Sequence, residues 1–242
     1  KEEQKKITDF LIQIDSRLAQ LTEKKENLEK YKKGIAQKIF SQKIRFKDEN
    51  GKEFPDWKSY AIKKILKRYS NPVAVEPNKL YQQIGIRSHG KGIFHKEFVT
   101  GKALGNKRVF WIEENKLILN IVFAWERAIS KTTANEIGMI ASHRFPMYEP
   151  EKDLLNLDFI LYFFLTPKGK SYLELASPGG AGRNKTLGQA EFEKLKIIIP
   201  SLNEQNKISS FLQKIDTEIS FINEKIEQTT LFRKGLLNKM FI

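Results

Sequence analysis

The chain of 242 residues contains no cysteine, which removes structural disulfides, thiolate metal sites and a cysteine nucleophile together. Histidine is almost as scarce. His89, His95 and His143 are the three present, and no two stand at metal-ligand spacing, so no metal site is expected. Long hydrophobic runs are missing as well: the longest, Phe159-Ile-Leu-Tyr-Phe-Phe-Leu165, falls far short of the ~20 residues that span a bilayer. Lys1 to Lys6 lead straight into an amphipathic pattern, with no signal peptide, so a cytoplasmic protein with no membrane partner is expected. No glycine-rich cofactor loop follows a strand pattern, and no nucleophile–base–acid set stands out. Catalysis is expected to be absent.

What is present is a real core composition and a surplus of positive charge. Hydrophobic residues make up 40% of the chain and aromatics 11%, enough to fold, and the net charge is +14. Residues 57–111 carry twelve basic residues against Glu76 and Glu97 alone. A block so one-signed repels itself without an anionic partner, and nucleic-acid phosphates are the usual one. The bland alternative is a solvated lysine surface.

The most informative feature is an internal repeat. Glu3-Gln-Lys-Lys-Ile-Thr-Asp-Phe-Leu11 returns as Glu204-Gln-Asn-Lys-Ile-Ser-Ser-Phe-Leu212, and the match runs without gaps at an offset of 201 to the C-terminus. Identities include Asp15/Asp216, Glu23/Glu224, Lys33/Lys234, Gly34/Gly235 and Phe40/Phe241. Both copies read as one helix with alternating four-and-three spacing. In the first copy the seam is Ile7, Leu11, Ile14, Leu18, Leu21, Lys25, Leu28, Lys32, Ile35 and Ile39. In the second it is Ile208, Leu212, Ile215, Ile219, Ile222, Ile226, Thr229, Arg233, Leu236 and Met240. The polar seam positions Lys25, Lys32, Thr229 and Arg233 are expected to weaken the far halves and to disfavour wrong registers. Ser201-Leu-Asn-Glu204 after Pro200 has the form of a capping box that starts the second helix.

Between the helices the texture changes. Val109–Ile112, Leu117–Phe123, Gly138–Ala141 and Lys196–Ile199 read as strands, and 154–165 and 168–176 as helices, which predicts an α+β domain with a mixed sheet. The organisation expected is a long helix at 1–46, a globular domain at 47–200 and a second long helix at 201–242. Three loops are candidate reading elements. Arg87, Ser88, His89 and Lys91 stand among glycines that let a ligand approach the backbone. Ser142, His143 and Arg144 follow an apolar run, and Arg183, Asn184 and Lys185 close a glycine-rich stretch. Such side chains reach base edges and phosphates productively. Trp57, Trp111 and Trp125 are expected in the core.

Two decoys fail. Gly179-Gly-Ala-Gly-Arg-Asn-Lys-Thr186 approaches a phosphate-binding loop but has Asn184 where glycine is needed and follows a helical pattern. Asn71-Pro72 resembles the Asn-Pro-Pro-aromatic motif of adenine methyltransferases, yet continues Val73-Ala74.

The helices resemble a known family. Pro200-Ser-Leu-Asn-Glu-Gln-Asn-Lys-Ile-Ser-Ser-Phe-Leu-Gln-Lys-Ile-Asp216 looks like the opening of the conserved helices in type I restriction–modification specificity subunits, and Arg233-Lys-Gly-Leu-Leu-Asn-Lys-Met-Phe241 like their closing. Arg45-Phe46 and Glu53-Phe-Pro-Asp-Trp57 resemble the family's lead-in to a target-recognition domain. One such domain between two helices resembles the C-terminal half of the family's subunit. The resemblance implies a non-catalytic subunit in which residues 47–200 read one half of a split double-stranded DNA target. The two helices would form an antiparallel coiled coil, within the subunit or with a partner half, as spacer and docking surface. The implied partners are methyltransferase subunits, a restriction/translocase subunit and a second half-subunit by coiled-coil dimerisation. S-adenosylmethionine, ATP and Mg are implied in those partners and no cofactor in this chain. The competing expectation is a coiled-coil interaction scaffold with non-specific nucleic-acid binding.

Overall fold

The computed structural model describes residues 2–179 and 185–240. It divides into two compact units, one of residues 1–43 with 210–242 and one of residues 44–209.

Helix α1 (Glu2–Phe40) runs 39 residues without a proline. It ends with Gln42 in a left-handed conformation (φ 60°), and the N–H groups of Gln42 and Lys43 donate to Ile39 O at 2.8 Å and Lys38 O at 2.9 Å. These bonds satisfy carbonyls that the helix end would otherwise leave orphaned.

The second unit follows. Strand β1 (Lys58–Ala61), the turn α2 (Ile62–Ile65) and β2 (Leu66–Tyr69) come first, then the hairpin β3 (Leu80–Ile86) and β4 (Ile93–Thr100). The turn α3 (Gly101–Leu104) precedes four short strands, β5 (Val109–Trp111), β6 (Leu117–Leu119), β7 (Ile129–Lys131) and β8 (Ile140–Ser142). Strand β9 (Met147–Pro150), helices α4 (Leu157–Leu165), α5 (Pro167–Leu175) and α6 (Gln189–Lys194), and β10 (Lys196–Ile199) complete it. Helix α7 (Leu202–Met240) begins in this unit and continues into the helical one.

Three sheets form. One is the pair β1–β10, a second is antiparallel in the order β2-β9-β6-β7, and the third is mixed in the order β4-β3-β8-β5. The mixed character comes from one parallel contact, Gln83 opposite Ile140, beside antiparallel β3–β4 and β5–β8 pairs. The β3–β4 register shifts between Gln82 and Ile84, a bulge at Gln83 that re-aims one side chain. Ile84, Ile86, Ile112, Ile118, Ala128, Ala141 and Met147 close into one buried cluster, and Tyr81, Leu104, Val109 and Ile140 into another. The strand expected over Leu117–Phe123 is shorter than its apolar run. It stops at Leu119 because the Asn120 side chain takes the Val122 N–H, at 3.1 Å, and turns the chain. Helix α4 starts later than expected, at Leu157, where Asn156 Oδ1 accepts from Phe159 N–H at 2.9 Å. Trp57, Trp111 and Trp125 are half-buried; Trp57 meets Phe159 edge-on with ring centroids 6.0 Å apart, and Trp111 lies against Tyr81.

The capping box at Ser201 is a correction. Helix α7 does begin at Leu202, but Ser201 Oγ is buried with no hydrogen-bond partner, and Glu204 reaches elsewhere. Fully buried, Glu204 accepts from Arg45 Nε at 3.2 Å and Nη2 at 2.8 Å. Arg45 Nη2 also donates to Phe54 O and Pro55 O, so a full cationic partner outcompetes a backbone amide. The hydrogen bond from Arg45 to Glu204 raises the arginine's already high pKa. Gln205, equally buried, donates to Leu154 O at 2.8 Å and Pro200 O at 2.9 Å and accepts from Asn156 N–H at 2.8 Å. The Glu-Gln dipeptide of the repeat is therefore the joint that holds the start of α7 in the globular unit.

In the helical unit α1 and α7 pair antiparallel. Lys24 meets Glu218 at 2.8 Å, Lys25 meets Asn223 at 2.6 Å and Arg233 meets Asp15 at 2.6 Å, while Lys32 pairs with Asp216. The expected seam positions are all buried or half-buried among those with described side chains. The polar ones do more than interrupt it: Lys25, Lys32 and Arg233 each reach a partner on the facing helix.

Candidate nucleic-acid interface

Within the globular unit, a groove opens beside the mixed sheet. Gln83, Lys96, Lys107, Asn120, Val122, Phe123 and the stretch Ser142–Phe145 line it, and no carboxylate does. Gln83 arrives through the β3 bulge, Lys96 from β4, Lys107 from the loop before β5, and Ser142 from the end of β8. Pairing of β8 with both β3 and β5 is what gathers them. Among the described residues, Lys96, Lys107 and Arg144 make no ion pair, whereas Lys67, Arg68, Lys116 and Lys131 all do. Cations left unpaired around a carboxylate-free groove form a positive field aimed at an external anion.

A second cleft shares His143 and Phe145 with the groove and adds Arg68, Tyr69, Ser70 and Arg108. Arg68 is tied to Glu193 at 2.7 Å. Burial, helped by Glu113 and Glu149, pushes the Tyr69 hydroxyl above its ordinary range. His143 N–H donates to Arg108 O at 3.1 Å, which fixes the strip joining the two clefts.

The three loops singled out in the sequence differ in position. Ser142, His143 and Arg144 lie in the groove, the latter two exposed. Arg87, Ser88, His89 and Lys91 form the β3–β4 hairpin tip, and none of them lines the groove. Arg87 stacks over the Phe94 ring at 4.7 Å and donates to Ile93 O at 3.1 Å. Ser88 Oγ donates to Glu126 at 2.9 Å, and His89 adopts φ 63° with its N–H on Glu126 O. Lys91 is exposed. Lys185 stands 5.7 Å from the Trp125 ring, two residues before Leu187, whose N–H meets the carbonyl of Ile121 in the wall of the second cleft. Arg183 and Asn184 lie outside the described residues. Sequence reasoning missed Gln83, Lys96, Lys107, Arg108, Asn120 and Phe123 individually; the basic block 57–111 was the available signal for the lysines and Arg108.

Comparison with known proteins shows the family. The family model for the type I restriction modification DNA specificity domain matches residues 56–230, well over half of the chain. A Methanocaldococcus jannaschii protein named as the type I restriction enzyme MjaVIII specificity subunit is 26% identical over 84% of this chain and 46% of its own length. The MjaX specificity subunit of the same organism is 23% identical over 98% of this chain and 56% of its own. The chain thus spans about half the length of the curated relatives it matches. Among solved structures, the type I S subunit from M. genitalium superposes on 100% of this chain and 61% of its own with a TM-score of 0.60 at 18% identity. The HsdS subunit from Thermoanaerobacter tengcongensis covers 76% of this chain and 48% of its own with a TM-score of 0.56 at 15% identity. These likenesses carry the fold, and the relatives' names are those of specificity subunits, in line with a non-catalytic role. The chain belongs to the type I restriction–modification DNA specificity family.

Proposed function

We propose that residues 44–209 recognise one half of a bipartite duplex target, with the basic groove as the DNA-facing surface. The observation that carries this reading is that, among the described residues, Lys96, Lys107 and Arg144 make no ion pair and the groove they line has no carboxylate. Phosphate contacts from such cations position a duplex, and the amides and aromatic among them suit reading of base edges. The half-target reading rests on the repeat: one globular stretch lies between two copies of the same long helix, so each such stretch is one reading unit.

The helical unit serves in this reading as spacer and docking surface for methyltransferase subunits, joined by a restriction/translocase subunit for cleavage. Ile12, Tyr31, Leu231 and Phe232 are exposed there, apolar surface that a partner would cover. S-adenosylmethionine, ATP and Mg belong to those partners, and the cytoplasm, where DNA and partners meet, is the site of action. Among the described residues no helix is long and apolar enough to cross a membrane.

The test is methylome sequencing of cells carrying a type I methyltransferase with and without this chain. A new split methylation motif appearing only with the chain is expected. An unchanged methylome, with the chain expressed and folded, would contradict the proposal.

A further inference from the structure

We propose that the turn Asn120–Phe123 is a specificity-determining element of the groove, in which Asn120 Nδ2 donates to an acceptor on a base edge and Phe123 packs beside it. This rests on the groove reading above.

The turn is held on every side. Asn120 N–H donates to Ala128 O at 2.9 Å, Ile121 N–H to Arg144 O at 3.0 Å, Val122 N–H to Asn120 Oδ1 at 3.1 Å and Phe123 N–H to Asn120 O at 3.0 Å. The carbonyls are engaged as well: Ile121 O accepts from Leu187 at 2.8 Å, Val122 O from Trp125 Nε1 at 3.2 Å and Phe123 O from Ala128 at 3.1 Å. With all four backbone donors and three further acceptors satisfied, the turn has little freedom left to lose on binding. Side chains mounted on such a rigid platform discriminate among ligands better than side chains on a loop that must first order itself.

The hydrogen-bond pattern also settles which way the Asn120 amide points. Only an oxygen can accept the Val122 N–H, so Oδ1 faces the turn and Nδ2 faces away from it. Among the described residues Nδ2 has no hydrogen-bond partner, although the residue is half-buried in the groove wall. A donor there matches purine N7, guanine O6 or thymine O4, and mismatches the amino group of cytosine. Phe123, 40% exposed on the same wall, is a large ring that the domain's own core does not cover. It supplies the apolar contact that a thymine methyl or a base face would meet.

Binding selection from a random-sequence duplex library, run with the full chain, tests the assignment. Asn120→Asp keeps Oδ1 for the Val122 N–H and removes the outward donor. It is expected to lose roughly tenfold or more discrimination at one position of the selected motif, the other positions persisting. Phe123→Ala, whose side chain takes no part in the turn's hydrogen bonds, is expected to flatten the same or the adjacent position. If either variant, folded by thermal unfolding, returns the wild-type motif with undiminished discrimination, the inference is overturned. A Lys96→Ala/Lys107→Ala variant separates the two readings. Its weakened binding to all sequences is expected; unchanged binding would remove the groove itself as the DNA face, and with it the premise of this inference.

Discussion

Arg233 Nε and Nη2 meet Asp15 Oδ1 and Oδ2 at 2.6 and 3.2 Å across the helical unit. Shifting each residue by the repeat offset turns this pair into Lys32 and Asp216, which are also paired. One contact therefore occurs twice with the helices exchanged, so an internal repeat folded antiparallel gives the helical unit a pseudo-two-fold relation. The two pairs hold the same register from opposite ends.

Reversing one charge tests that register. Asp15→Arg sets two cations face to face and is expected to lower stability by about 0.5–1 kcal/mol, the scale of a partly exposed pair. Asp15→Arg with Arg233→Asp should recover most of it. A double-mutant cycle by thermal unfolding checks the coupling, and a swap no better than the single reversal would refute it.

At the joint between sequence repeat and globular unit, Arg45→Met leaves Glu204 buried without its cation. The expected cost is about 3 kcal/mol, because an uncompensated buried carboxylate is the worst outcome of breaking such a pair. Replacing both residues with Met should cost clearly less than the single change. Denaturant titration reads the difference; equal losses would show that Arg45 acts only through Phe54 O and Pro55 O.

Glu136 supplies a pH dependence. Burial pushes its carboxyl up, but hydrogen bonds from His95 at 3.0 Å and from Thr133 N–H and Oγ outweigh that and hold it below its ordinary range. A carboxylate depressed in the folded state contributes stability above its unfolded pKa of ~4.3, and loses it as pH falls through the lower folded value. Acid unfolding of the wild type should therefore be steeper below about pH 4.5 than that of Glu136→Gln. Superimposable acid limbs would show that the pair contributes nothing.

Arg144 and Arg87 make a contrasting pair. Arg144 lies exposed in the groove, whereas Arg87 is spent on Phe94 and Ile93 O of its own hairpin. Arg144→Ala should weaken binding to a selected site more than to random duplex, by about 1–3 kcal/mol if it reads a base, and Arg87→Ala should change binding less. Parallel titrations on both duplexes measure this. A larger loss for Arg87→Ala would move the interface to the hairpin tip.

The helices were legible from sequence because a heptad seam is a local period: Ile14, Leu21 and Ile222 are buried where spacing alone puts them. The groove was legible only in part. Ser142, His143 and Arg144 stood at a strand end and could be singled out. Gln83, Lys96 and Lys107 could not, because they meet through the non-local pairing of β8 with β3 and β5. Asn120 was hidden inside an apolar run that reads as a strand to Phe123, and its side-chain bond to Val122 N–H and its carbonyl's bond to Phe123 N–H show the turn. Ser201 erred the other way, since a capping pattern is local and the pull of Arg45 on Glu204 is not.

The affinity of the full chain for a long mixed-sequence duplex, followed across a salt series, tests the DNA-facing groove most directly. The wild type should show a steep linear fall of log affinity with log salt. Each of Lys96→Ala and Lys107→Ala should reduce the slope by about 0.9, as one phosphate contact is lost. A flat wild-type response, or a slope untouched by either substitution, would contradict it.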